Sequence, residues 1–290
     1  MVFDKLKKYG ELVMFSHTVF SLPFGLLAML WAANGIPELS IFFWILVALF
    51  GARNGANAFN RIADRYIDQK NERTSNRHLS TGQVKLYEAI AITVLCFALM
   101  AVAAFMLNLT CLILLPFAIA LFIFYSYSKR LTWLCHFILG VACGGAPVGA
   151  WIAVTGGITL VPLFLGAAVC FWVAGFDIIY ATQDIEFDRK EGLHSVPARF
   201  GLKGALWIAR GCHVMHVLCL IALYIFMPRG IFFLIGIIVS VILLCVEHYN
   251  VIPENKNKML FAAYHINQIL SIVFFIFAMI DFWYGKLSIL

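Results

Sequence analysis

Long apolar runs separated by short polar segments dominate this chain. The runs His17–Ala33, Ile41–Asn57, Ala89–Leu107, Leu134–Val154, Ala205–Phe226, Ile231–Val246 and Phe261–Trp283 are seven of them. Two more fill the interval from the turn at Asn108–Thr110 to Tyr125 and that from the uncharged connection Thr155–Pro162 to Tyr180. Each is near the ~20 residues that a helix needs to cross a bilayer. The pattern predicts about nine transmembrane helices and no soluble domain, so that residues 1–290 form one membrane-embedded unit. Residues 1–15 set Lys5, Lys7 and Lys8 beside Phe3, Leu6 and Leu12, which predicts an amphipathic segment lying at the interface. No small-residue cleavage site follows it, so it does not read as a removable signal peptide.

Composition agrees with the pattern. The chain is 63% hydrophobic and 12% charged, whereas a soluble domain is usually ~25% charged. The net charge of +6 fits loops facing anionic head groups better than a nucleic-acid partner. The eight cysteines all lie in apolar runs without a Cys-x-x-Cys pair, which predicts neither a disulfide framework nor a zinc site.

Charge also orients the spans. With the N-terminus in the cytosol, the segments holding Lys5–Lys8, Arg61–Lys85, Lys129–Arg130, Arg189–Lys203 and Lys256–Lys258 all fall inside. Of 21 Lys and Arg residues, only Arg229 and Lys286 fall outside, and Arg53 and Arg210 sit in the inner ends of spans. This follows the positive-inside rule and puts the C-terminus on the opposite side from the N-terminus.

Two acidic stripes then share the cytosolic face. In the first, Asn60, Asp64 and Asp68 are spaced i, i+4, i+8 and lie on one helical face, joined by Asn57. In the second, Asp177, Tyr180, Asp184 and Asp188 are spaced 3, 4 and 4. Such oxygen-rich faces suit a hard cation such as Mg²⁺, which binds through one or two carboxylates plus substrate phosphates. Arg73, Asn76, Arg77 and Lys129 would supply donors to phosphate oxygens. One site assembled from two halves could stabilise a departing diphosphate, and its apolar surroundings would keep water from a carbocation. Arg61, Arg65 and Lys85 read as topology determinants, and His213 and His216 as buried polar packing rather than metal ligands. His265, Asn267 and Gln268 read as interhelical hydrogen-bonding groups. A repeat is suggested only in that spans 2–3 and 6–7 each bracket a long charged loop.

Three elements resemble the UbiA superfamily of intramembrane prenyltransferases. NRIADRYIDQKNERTSNRHLSTG (from Asn60) resembles its first signature, DIIYATQDIEFD (Asp177–Asp188) its second, and YSYSKRLT (Tyr125–Thr132) its Tyr-x-x-x-Lys-Arg-x-Thr element. The resemblance implies nine helices around a central cavity open laterally to lipid. It also implies Mg²⁺-dependent transfer of an isoprenoid from polyprenyl diphosphate to an aromatic acceptor in quinone synthesis. By position, Asp64, Asp68, Asp184 and Asp188 would hold metal and diphosphate, and Asn60 would line the site. Arg73, Asn76, Arg77, Tyr125 and Lys129 would bind phosphate oxygens, with Asp177 and Tyr180 near the acceptor. Arg61 and His78 stand where the 4-hydroxybenzoate enzymes commonly have Asp and Pro. FSHTVFSLPFG (Phe15–Gly25) and GLHSVPARFG (Gly192–Gly201) resemble a branch named for 4-hydroxybenzoate polyprenyl transfer. The acceptor is left as 4-hydroxybenzoate (ubiquinone) or a bicyclic acid such as 1,4-dihydroxy-6-naphthoate (menaquinone). Within the superfamily, haem farnesylation and chlorophyll prenylation fit less well.

Two other classes compete. CDP-alcohol phosphotransferases need an Asp-Gly-x-x-Ala-Arg pattern that is absent, since Arg65 and Gln69 follow the two aspartates. An ion-coupled transporter would carry its carboxylates near the bilayer midplane, not clustered at one surface with Arg and Lys.

Overall fold

The computed structural model describes residues 8–13, 15–227, 229–251 and 261–287. These are helical almost throughout, without a strand. In chain order the helices are α1 (Phe15–Ala32), α2 (Leu39–Lys70), α3 (Leu86–Leu107), α4 (Leu109–Ser128), α5 (Cys135–Thr155) and α6 (Leu160–Ala181). The short α7 (Ile185–Lys190) is followed by α8 (Val196–Phe226), α9 (Ile231–Asn250) and α10 (Asn267–Leu287). Eight of the described helical stretches are long and apolar enough to cross a membrane, and a shorter apolar one, Leu22–Ala32, belongs to α1. The protein is an all-α integral membrane protein.

Helix pairing follows from side-chain size. In a bilayer, helices associate through close packing rather than through a hydrophobic driving force, so glycine at a crossing matters. A Cβ on Gly140 would collide with the backbone oxygen of Cys170, and one on Gly144 with that of Gly166. These two glycines let α5 lie directly against α6. Gly51 and Gly55 do the same for α2 against α3, facing Cys96 and Phe97. Where α1, α6, α9 and α10 meet, larger side chains fill the core. Phe24, Trp172, Phe233 and Phe274 are all nearly inaccessible, and Phe24 lies 5.4 Å from Trp172 and 5.7 Å from Phe274 between ring centroids.

Several boundaries differ from the sequence reading. Helix α2 does not end near Asn57 but runs unbroken to Lys70, so the first acidic stripe rides on a rigid extension of a span. The second stripe is broken: α6 ends at Ala181, a 3-10 turn covers Thr182–Asp184, and α7 resumes at Ile185. A 3-10 turn has ~3.0 residues per turn against 3.6 in an α-helix. The side chains beyond it are therefore rotated out of phase with those before it. Helix α8 starts earlier than expected, at Val196, capped by the Ser195 hydroxyl, which accepts from the Ala198 amide. It kinks at Gly201, whose φ of 67° suits glycine.

Of the N-terminal segment, residues 8–13 are described, and Lys5 and Lys7 lie outside the described residues, as do Lys256 and Lys258. Leu12 packs with Leu79, Val84 and Ala89, and the Val13 carbonyl accepts from Asn57 Nδ2 at 2.7 Å. This stretch lies against the loop that follows α2. The described cysteines are all free thiols.

Candidate active site

A cavity of ≈ 280 Å³ opens between α2, α4, α5 and α6. Helical periodicity explains which residues reach it. From α2 come Arg53, Asn57, Asn60, Arg61, Asp64 and Asp68, and from α5 Cys135, His136, Leu139 and Cys143. From α6 and the following turn come Val169, Trp172, Val173, Phe176, Asp177, Tyr180 and Asp184. The intervals of three and four keep each set on one face. Acidic and basic side chains gather where α2 and α6 end, and the apolar ones lie deeper between the spans.

At the charged end, each acidic residue has a basic partner. Arg130 Nη2 donates to Asp64 Oδ1 at 2.8 Å, and Asn60 Nδ2 donates to Asp64 Oδ2 at 3.1 Å. Arg77 Nη1 donates to both oxygens of Asp68 at 2.6 Å. Arg73 forks onto Asp184, Nε to Oδ1 at 3.0 Å and Nη2 to Oδ2 at 2.5 Å, while its Nη1 reaches the Tyr180 hydroxyl at 2.7 Å. Asn71 Nδ2 adds a bond to Asp184 Oδ1 at 3.0 Å. The loop after α2 thus ties the first stripe to the second. Burial alone would lower the Arg73 pKa, but the hydrogen bonds and charge of Asp184 outweigh it and hold it above its ordinary value. Lys129 behaves alike: burial lowers it, Asp188 and Asp184 raise it further, and the net shift is upward. Both stay protonated at neutral pH.

The expected residues are not all brought together. Asn60, Asp64, Asp68, Arg73, Arg77, Tyr125, Lys129, Asp177, Tyr180 and Asp184 line the cavity. Asn76 does not; its residue is exposed on the loop. Asp188 does not line it either. The phase change at the 3-10 turn carries it behind the wall, where it is fully buried, paired with Lys129 Nζ at 2.8 Å and accepting from Ser195 Oγ at 2.8 Å.

Sequence reasoning missed other lining residues. Arg61, read as a topology determinant, faces the cavity, whereas Arg65 donates to the Ile62 carbonyl and is not among the lining residues. Arg130, to which the sequence assigned no site role, does not line the cavity but holds Asp64 from beside it. Arg53 lies deeper; its Nη1 meets only the Cys143 thiol at 3.4 Å, and its buried Nε has no partner. A charge inside an apolar run was the available signal. His136, a lone histidine in a span, gave a weaker one, and Tyr264 gave none.

Away from the cavity, His213 Nδ1 lies 2.9 Å from His248 Nε2, and His216 Nδ1 donates to the Ala168 carbonyl at 2.8 Å. They are buried polar groups. Asn267 bridges helices as expected, accepting from Trp172 Nε1 at 2.6 Å and donating to Glu247 Oε1 at 3.0 Å. His265 is exposed, with its ring 6.1 Å from that of Phe261.

Among the described residues, no three of His, Cys, Asp and Glu converge on a metal position. The donor chemistry nevertheless fits a hard cation. Asp64 and Asp68 offer carboxylate oxygens one turn apart, and Mg²⁺ usually completes its shell with water and substrate phosphate.

The model of the UbiA prenyltransferase family matches residues 21–281. The chain belongs to this family. Curated relatives named 4-hydroxybenzoate octaprenyltransferase include one from Vibrio parahaemolyticus, 29% identical with 97% of this chain and 99% of that protein covered. One from Nitrosomonas eutropha is 31% identical, with 87% and 91% covered. Among solved structures, a UbiA homologue from Aeropyrum pernix K1 is 32% identical at a TM-score of 0.83, over 92% of this chain and 98% of that one. A homologue from Archaeoglobus fulgidus, bound to DMAPP and Mg²⁺, shares the fold at 20% identity and a TM-score of 0.68, over 94% and 99%. This UbiA-family protein is a membrane-embedded prenyltransferase.

Proposed function

We propose that the chain, acting as one domain over residues 1–290, transfers a polyprenyl group from polyprenyl diphosphate to a ring carbon of 4-hydroxybenzoate, in quinone synthesis. The observation that carries this reading is a cavity with charged groups of two kinds at two depths. At its mouth, Asp64, Asp68 and Asp184 stand among Arg73, Arg77, Lys129 and Arg130. Deeper, the half-buried Arg53 has a buried Nε without a partner and only the Cys143 thiol on its Nη1, a guanidinium suited to the carboxylate of an aromatic acid. The names of the curated relatives point the same way.

In this reading Asp64, Asp68 and Asp184 would hold Mg²⁺, the cation that accompanies DMAPP in the Archaeoglobus protein. When bound, the ion would neutralise charge on the diphosphate and ease its departure. The chain's own residues do the rest. Arg73, Arg77 and Lys129 exchange part of their carboxylate contacts for phosphate oxygens. Asp188, behind the wall, holds Lys129 in reach. Val169, Val173 and Phe176 exclude water from the allylic cation, and Arg53 anchors the acceptor with its ring toward that cation. The lysine and arginine bias supports a reading with the charged end and the N-terminus in the cytosol and the C-terminus across the membrane.

The test is transfer by purified protein in liposomes with Mg²⁺ and radiolabelled polyprenyl diphosphate. 4-Hydroxybenzoate and 1,4-dihydroxy-6-naphthoate are offered in parallel. Lipid-soluble product with 4-hydroxybenzoate is expected. Product with the naphthoate alone would move the protein to menaquinone synthesis, and no product with either would reject both acceptors.

A further inference from the structure

One pair in the cavity wall has no part in binding diphosphate. His136 Nδ1 lies 2.6 Å from Asp177 Oδ2, joining the first turn of α5 to the inner part of α6. The approach of these helices at Gly140 and Gly144 makes this contact possible. The pair is asymmetric. Both residues line the cavity, but the His136 side chain is 4% exposed and that of Asp177 28%, so the carboxylate is the more open to it. A carboxylate oxygen can only accept, so Nδ1 carries the proton. His136 Nε2 is then buried with no partner. The other Asp177 oxygen, Oδ1, has no hydrogen-bond partner among the described residues.

The level of the pair is informative. Asp177 precedes Asp184 by seven residues, roughly 10–12 Å along the end of α6 and the 3-10 turn at about 1.5–2.0 Å per residue. Cys143, which touches Arg53, follows His136 by seven residues, roughly 10 Å. Asp177 therefore lies between the diphosphate level and the deep guanidinium. That interval matches a benzene ring carrying a carboxylate at one end and a hydroxyl at the other.

We propose that His136 is a positioning residue for prenyl transfer. It pins Asp177 Oδ2 so that Oδ1 faces the acceptor ring and takes its proton. This rests on the acceptor being a hydroxyaryl acid, as proposed above. In the step, the allylic C–O bond breaks and its electron pair leaves with the diphosphate. The ring carbon ortho to the hydroxyl supplies two electrons to the new C–C bond. The C–H bond at that carbon then breaks, its electrons restore aromaticity, and the proton passes to Asp177 Oδ1 and on to water or diphosphate. The Nδ1–H bond to Oδ2 survives in both protonation states, so the carboxylate is oriented throughout.

The experiment compares wild type with His136→Ala, His136→Asn and Asp177→Asn in liposomes, using 4-hydroxybenzoate either protiated or deuterated ortho to its hydroxyl. Asparagine places an amide N–H where Nδ1–H stood. The expected result for His136→Ala is a kcat lower by roughly 10²-fold, the low end for proton transfer by a positioned group. Its KM for polyprenyl diphosphate stays unchanged, and a primary isotope effect emerges because C–H cleavage becomes slow. His136→Asn recovers most of the rate and removes the isotope effect, while Asp177→Asn resembles His136→Ala. An isotope effect of unity in His136→Ala, or a rate in His136→Asn no better than in His136→Ala, would overturn the proposal. Absence of transfer by the wild type would instead reject the acceptor assignment on which it rests.

Discussion

Asp64, Asp68 and Asp184 are each held by an arginine, and that pairing explains why the site tolerates three carboxylates at one end of a membrane protein. Removing one carboxylate removes an oxygen donor and frees a cation. Asp64→Ala and Asp184→Ala are expected to lower turnover by at least 10²-fold, the scale of losing one preorganised electrostatic group, with folding and membrane insertion kept. Activity near that of wild type would show that these groups do not act on the diphosphate. Arg53→Ala should raise the KM for 4-hydroxybenzoate about 10-fold or more, as for loss of one charge-assisted hydrogen bond, and leave that for polyprenyl diphosphate unchanged. Lys129→Met differs because it leaves Asp188, which is fully buried, without its ion pair. A loss of about 3 kcal/mol in stability is expected, read as a lower melting temperature in detergent. Arg229, at the far end of the bundle, is lowered to about 10 by burial, with Asp281 partly offsetting it. It sits 4.1 Å over the Trp31 ring, and Arg229→Ala should leave transfer rates unchanged.

The stripes were legible as elements because spacing of four on a helix is a strong signal, and α2 continues it without a break. The second stripe was legible only as far as Asp184. Nothing in ATQDIEFD announces the 3-10 turn, at whose end Asp184 is held by Arg73 and Asn71, with Asp188 beyond it held by Lys129 and Ser195. Loop residues such as Asn76 were read by proximity in sequence, which does not determine where an irregular backbone points. His136 and Arg53 carried a local signal, a polar group in an apolar run, but not the partner that gives it meaning. The α5–α6 crossing is a prediction at this scale. A valine at Gly144 must displace the Gly166 backbone, so Gly144→Val should part α5 from α6. Transfer should fall together with thermal stability, and the loss in transfer should track that of Asp177→Asn. Unchanged melting and unchanged rate would show that the close approach is dispensable.

At the scale of the whole molecule, the all-helical architecture and the approximate number of spans followed from hydropathy, because a bilayer admits few alternatives to a helix. The cavity did not follow from it. Which spans surround the site depends on helix pairing through small residues, and glycines are spread through many of the spans. The two acidic stripes on one predicted face implied a shared site. The loop after α2 makes it one, through Arg73 and Asn71 reaching Asp184. The central claim is that both stripes act together on a prenyl diphosphate. The most direct test is transfer of radiolabelled prenyl groups to 4-hydroxybenzoate in liposomes by wild type, Asp64→Asn and Asp184→Asn, with and without Mg²⁺. Product from the wild type with Mg²⁺ alone, and near-complete loss in each single variant, is the predicted result. Full activity in either variant, or transfer indifferent to Mg²⁺, would contradict it.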